Sequence, residues 1–171
     1  MYDLVEDVTP GLTDTALRDR QIALARNKKP TRFKMKAQLL DQGRTDTVLA
    51  ATDSLTVRLK VYAEGGENEL HAHPHEDHFF VVLQGAAEFH GPADEKVVVG
   101  PNEGIMMPKG NFYWFVAVPG APLVMLRVGS PNSNLQGTPD RIDFKGEPMA
   151  GNSAENKTRP VKFRPGAWFG G

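Results

Sequence analysis

Residues 65–85 read GGENELHAHPHEDHFFVVLQG, and this stretch decides the fold. Four of the chain's five histidines, His71, His73, His75 and His78, fall within eight of its residues. His71 and His73 are two apart, so on a strand both rings leave the same face. Pro74 removes a ladder donor and lets the chain bend before a second strand starts near His78. On that second strand His78, Phe80 and Val82 share a face. If it is the inner face of a barrel, three imidazoles converge in an apolar chamber. The run Phe79–Leu83 is apolar at every position, as a strand covered on both sides would be.

Outward from this stretch the pattern keeps a period of two. Leu55, Val57, Leu59 and Val61 alternate with Thr56, Arg58, Lys60 and Tyr62, the pattern of a half-buried strand. Gly85, Gly91-Pro92, Gly100-Pro101, Pro108-Lys109-Gly110 and Pro119-Gly120 mark successive turns. Short strands at this regular spacing predict an all-β sandwich or jelly-roll barrel over residues 33–130. Residues 1–32 form an N-terminal arm with one short helix from Thr13 to Asn27. Thr13 is its N-cap, Leu17, Gln21, Leu24 and Ala25 its thin apolar stripe, and Pro30 its stop. Residues 131–171 read as an irregular C-terminal extension without clear strand or helix period. Its Ile142, Phe144, Val161, Phe163, Trp168 and Phe169 are too apolar for a solvated tail, so it is expected to pack on the barrel or a neighbouring subunit.

Neutral imidazole is a good ligand for iron, zinc, nickel, copper or manganese. Three protein ligands leave coordination positions for water or substrate, as in catalytic sites. The competing reading is a solvated turn of histidines beside acids; their density inside an alternating β region favours metal. Glu76 is either a ligand or base that swings in, or part of a solvated turn, and its position in sequence favours the turn. His75 reads as exposed, and His90, before Gly91-Pro92, as unrelated to the site.

The spacing resembles the first motif of the cupin family, a double-stranded β-helix or jelly-roll barrel. That motif runs Gly, five residues, His-x-His, three or four residues, Glu, six residues, Gly. Gly65, His71, His73 and Gly85 fit, with His78 at the glutamate position. The second motif is recognisable in Pro108-Lys109-Gly110, but Tyr113 stands where its histidine is expected and Ala117 where its asparagine is expected. The resemblance implies one divalent metal ion on His71, His73 and His78, as in three-histidine cupin oxygenases, with iron(II) favoured over zinc, nickel, manganese or copper. Tyr113 is then a weak phenolic ligand, a hydrogen-bond donor behind the ligands, or an aromatic filler, and Phe80, Val82 and Phe115 wall a substrate pocket. The implied activity is that of an iron-dependent dioxygenase acting on a small organic substrate. The alternatives are a non-redox isomerase, lyase or cyclase, and a non-catalytic binding or sensing barrel.

Composition narrows the rest. Twenty basic and 21 acidic residues leave a formal charge of -1, which gives no reason to expect nucleic acid or an anionic membrane as partner. There is no cysteine, so disulfides, thiolate zinc sites and cysteine nucleophiles are excluded. Neither Gly-x-Ser-x-Gly nor a phosphate-cradling Gly-x-x-x-x-Gly-Lys-Ser/Thr loop occurs. The acidic start MYDLVEDVTP lacks an apolar signal core, so the chain is expected to be cytoplasmic. Its long termini and two-faced apolar strands predict a homodimer.

Overall fold

The computed structural model describes residues 2–135 and 139–171. The first part of the chain supplies β1 (Asp3–Val5), α1 (Asp14–Ala25), β2 (Thr31–Phe33), β3 (Ala37–Gln42), β4 (Arg44–Ala51) and β5 (Thr56–Tyr62). There follow β6 (Asp77–Gln84), β7 (Ala87–His90), β8 (Lys96–Val99), β9 (Gly104–Met107), β10 (Trp114–Ala117), β11 (Leu123–Ser130) and β12 (Lys162–Phe169). Two antiparallel sheets make the jelly roll, one ordered β4-β5-β11-β6-β9 and the other β10-β7-β8. Among the described residues, no helix is long and apolar enough to cross a membrane.

The two sheets close on an apolar core. Phe80 and Val82 of β6 and Leu123 and Met125 of β11 meet Phe89 of β7 and Phe115 of β10. Aromatic rings fill the middle, with Phe89 and Phe115 centred 5.0 Å apart and Tyr62 edge-on to Phe115 at 4.9 Å. A second core lies on the outer face of the five-stranded sheet, where Leu49, Leu59, Val61 and Val124 pack under Ala37 and Leu40 of β3.

Strand β5 is therefore covered on both faces rather than half-buried. Its apolar row, Leu59 and Val61, points outward into the second core, while Arg58 and Tyr62, of the alternate row, are also buried. Charge is tolerated there because Asp46 of β4 pairs with both Arg58, at 3.2 Å, and Lys60, at 2.9 Å.

The helix α1 starts and ends close to where its sequence signals lie. Thr13 accepts from the Ala16 amide at 3.1 Å, and Leu17, Gln21 and Ala25 are buried. Leu24, read as part of the apolar stripe, is only half-buried. Lys28 donates to the Ala25 carbonyl and so sets a positive charge against the negative end of the helix from just beyond its last turn.

The C-terminal segment departs from the irregular reading. It ends in β12, which pairs antiparallel with β3, placing Phe163 opposite Leu40 and Phe169 opposite Ala37. The ladder shifts register twice, and Gly166 sits between its two halves at φ +70°, which hides the alternation in RPGA. Val161 and Phe169 pack on the second core. Deleting residues 162–171 should lower unfolding free energy by on the order of 3 kcal/mol, since partly buried apolar side chains and the partner of β3 are lost. Urea denaturation of full-length and shortened chains checks this; equal midpoints would mean that β12 does not hold the outer face.

Candidate metal centre

The histidines are placed by two different pieces of backbone. Residues 66–72 run alongside β10, where the His71 and Tyr113 amides exchange hydrogen bonds with each other's carbonyls at 3.1 and 2.9 Å. This sets the His71 ring against the Tyr113 ring, with centroids 4.6 Å apart. His78 lies at the start of β6, directly opposite Gly129 of β11. A Cβ on Gly129 would come within 3.0 to 3.2 Å of the His78 ring and of Glu76 Oε2. The missing side chain there is what lets imidazole and carboxylate lie side by side.

Three donor groups converge. One ligand atom from each of His73, Glu76 and His78 lies within 4.8 Å of the others, and all three residues are buried. Glu76 Oε2 is 2.8 Å from His78 Nε2, and the His73 and His78 ring centroids are 4.0 Å apart. His71 stands one ring away, its centroid 5.0 Å from that of His73. The Nδ1 of His71 donates to the Glu69 carbonyl at 2.7 Å, and the Nδ1 of His73 donates to the Asp140 carbonyl. A carbonyl can only accept, so in both rings the lone pair is left on Nε2, the tautomer a metal ligand needs.

Glu76 is the clearest correction. Its position in sequence favoured a solvated turn, yet it is 2% exposed. Its Oε1 accepts from both the backbone amide and the hydroxyl of Ser133, each at 2.8 Å. Its Oε2 accepts from Arg127 at 3.0 Å. Glu76 lies two residues before His78, which holds the motif's glutamate position. It still reaches the site because Pro74 and His75 carry the chain through a bend before β6, folding the carboxylate back onto the His78 ring.

Electrostatics keep the imidazoles neutral. Burial, reinforced by nearby arginines, holds His71 and His78 well below the ordinary histidine range. Burial also brings His73 down to about 4, partly offset by Asp140. Arg127 remains charged: burial opposes its charge, but Glu76, Asp140 and Asp46 outweigh this and raise its pKa. The phenol of Tyr113 is pushed up by burial, and its hydroxyl lies 3.5 Å from His78 Nδ1. It therefore stays a neutral hydroxyl group and not a phenolate.

The donor set fits a divalent cation through two neutral imidazoles and one carboxylate, with Arg127 as a competitor for that carboxylate. Arg127 also contacts His78 Nε2, an atom that can accept from the guanidinium or donate to Glu76 but cannot do both.

Phe80, Val82 and Phe115 lie in the closed aromatic core beneath the histidines, nearly inaccessible, instead of along an open chamber. His75 is exposed. His90 stacks on Trp114 at 3.9 Å and pairs with Glu88 at 2.9 Å, away from the cluster. Sequence reasoning missed Arg127, Arg141, Asp140 and Ser133. Arg127 did carry a signal, because within LVMLRVGS a period of two sets it on the face of Leu123 and Met125. Asp140 and Arg141 lie in a loop and Ser133 in a single 3-10 turn, where no periodicity reports burial.

Residues 58–129 match the family model described as a cupin domain. No curated protein matches the chain. Among solved structures, KdgF from Halomonas sp. is 26% identical over 53% of this chain and 80% of that one, with a TM-score of 0.49. A cupin superfamily protein from Desulfitobacterium hafniense DCB-2 is 19% identical, covers 56% of this chain and 84% of its own, and has a TM-score of 0.51. The DMSP lyase DddQ from Ruegeria pomeroyi DSS-3 is 18% identical over 63% of this chain and 54% of its own, with a TM-score of 0.51. The latter two likenesses carry the fold.

The depressed histidine values have a measurable consequence. Between the unfolded value of 6.5 and the folded value of about 4, the unfolded chain takes up a proton at His73 that the native chain refuses. Stability is therefore full above pH 6.5 and declines as pH falls toward 4, by on the order of 3 kcal/mol for this residue alone. Denaturant titrations of metal-free protein at pH 7 and pH 4.5 measure it, and a His73→Gln variant should show a shallower pH slope. Equal slopes would show that His73 is not buried neutral.

Proposed function

The chain belongs to the cupin superfamily through its domain at residues 58–129, and on that premise we propose that it is a divalent-metal enzyme acting on a small anionic organic molecule. The observation that carries this reading is the convergence of His73, Glu76 and His78 in a buried site beside a charged Arg127. The proposed ligands are His73, His78 and Glu76, with Nε2 of His71 as the fourth. A bound ion supplies Lewis-acid polarisation of a carbonyl or, as iron(II), a place for dioxygen. Arg127 sits where it can stabilise negative charge developing on a substrate oxygen. The Tyr113 hydroxyl lies at the same site, 3.5 Å from His78 Nδ1, and Phe80 and Phe115 keep water from beneath it.

Iron-dependent dioxygenase chemistry is the reaction placed first, with zinc, nickel, manganese and copper as the competing metals. A second reading, a non-redox lyase, isomerase or cyclase, is favoured by Glu76 itself. A carboxylate beside the imidazoles partly balances the metal charge and can hold a substrate proton at Oε2, and neither role needs oxygen. A non-catalytic sensing barrel is the third. The same reading includes a homodimer: Phe79 and Met106 are paired across β6 and β9, and both are exposed, 37% and 60%.

Elemental analysis of purified protein should find about one divalent ion per chain, and His78→Ala should lower occupancy at least tenfold. Full occupancy in that variant would remove His78 from the ligand set. Oxygen-electrode assays of the iron-loaded protein with diketones, catechols and thiols separate the classes. Substrate-dependent uptake assigns the dioxygenase, turnover without uptake assigns non-redox chemistry, and binding without turnover assigns the sensor. Light scattering at micromolar concentration should give a dimer mass that Met106→Lys converts to monomer; a monomeric parent chain would sink the dimer.

A further inference from the structure

Beside the histidines the barrel interior is strongly charged. A cavity of about 50 Å³ is lined by five cations, Arg44, Arg58, Lys60, Arg127 and Arg141. Its acids are three, Asp14, Asp46 and Asp140. Counting Glu76, which pairs with Arg127 from outside the cavity, cations still exceed carboxylates by five to four. Arg44 spends its donors on the Glu67 and Gly151 carbonyls and the Thr158 hydroxyl, neutral groups that leave its charge uncancelled.

The decisive feature is a set of donors with nothing to bind. Among the described residues, Arg58 Nε and both Nε and Nη1 of Arg141 have no hydrogen-bond partner, although Asp46 Oδ1 and Asp140 Oδ1 in the same lining also have none. Arg58 is only 6% exposed, so water from bulk does not satisfy it. Arg141 makes no ion pair among the described residues, and burial pulls its pKa below the usual arginine value. These free N–H groups belong to cations, and charged N–H donors bind a carboxylate more strongly than neutral ones do. A volume of about 50 Å³ suits a group of a few atoms such as one carboxylate, and not a whole metabolite. Exposed Asp14 forms part of the wall, so the chamber reaches the surface beside the start of α1.

The chamber also touches the metal cluster. Arg127 lines it while its Nη2 lies 3.0 Å from Glu76, and Asp140 lines it while its Oδ1 lies 3.5 Å from His73 Nδ1. We propose that this chamber is an anion subsite that takes the carboxylate end of a small organic acid on Arg58 and Arg141. Lys60 and Arg127 add charge without supplying the free donors. This deepens the reading above by naming the substrate class, and it rests on that reading only for the other end of the molecule reaching the histidines.

Sodium acetate titrated into the metal-free, full-length chain at fixed ionic strength tests the subsite without any metal. Saturable binding is expected, with the side-chain Nε resonances of Arg58 and Arg141 shifting together in ¹⁵N spectra. Arg141→Gln should weaken acetate at least tenfold, whereas Arg164→Gln, on the exposed β12 ribbon, should leave it unchanged. If Arg141→Gln fails to fold, the resonance shifts of the parent chain decide alone. Acetamide acting like acetate, chloride binding as tightly as acetate, or Arg resonances that stay still at high acetate would each overturn the proposal. Acetate binding in a chain that takes up no metal would leave the subsite standing and remove the metal reading. A metal-loaded chain blind to acetate would do the reverse.

Discussion

The ion pair between Glu76 and Arg127 is the constraint around which this barrel is arranged. Both side chains are nearly inaccessible, and withdrawing each charge from water costs several kcal/mol before any contact returns it. The cost is offset only because every acceptor on Glu76 is used: Ser133 supplies two donors to Oε1, and Arg127 and His78 meet Oε2. Those partners come from the entry to β6, the middle of β11 and the turn after it. Removing either charge would strand the other, a loss of about 3–5 kcal/mol. The pair therefore ties three distant segments together and fixes the ring of His78.

Charge inside the barrel has a consequence for its outside. With Arg58, Lys60 and Arg127 occupying positions on the interior side of β5 and β11, the apolar rows of the same strands, Leu59, Val61 and Val124, face outward. An exposed apolar sheet face of that extent would recruit other chains. The ribbon of β3 and β12 covers it, and so the C-terminal segment, whose apolar residues were expected to pack on the barrel or a neighbouring subunit, helps complete the second core. Helix α1 serves the interior as well: Gln21, fully buried, bonds Arg58 and Asn132.

The jelly roll was legible because turns and period-two alternation are local, and the His71/His73/Gly85 spacing narrowed it to one family. Two kinds of information were not local. Alternation in β5 reports that two faces differ, but not which faces inward, since both can be buried when charges are paired. The register of Glu76 was misjudged because counting residues assumes extended backbone, and the bend at Pro74 breaks that assumption. Likewise β12 was hidden by its bulge, where Gly166 resets the alternation. Arg127 was the one interior charge that periodicity could have exposed, standing on the face of Leu123 and Met125 in an otherwise apolar strand.

The same arginine links the two halves of the interior. A guanidinium and a metal cation at this cluster compete for one carboxylate, Glu76, and both are disfavoured by low-dielectric surroundings unless an anion is near. Any anion that draws Arg127 toward the chamber relaxes its hold on Glu76 and leaves the carboxylate freer for a cation. Linkage makes this reciprocal: a cation on Glu76 must strengthen anion binding by the same factor. Neutral imidazoles are essential to that coupling, because a protonated His73 or His78 would add charge where the barrel already holds an excess. Arg127 touches Glu76 and lines the polar chamber, so it is a place where occupancy of one would be felt at the other.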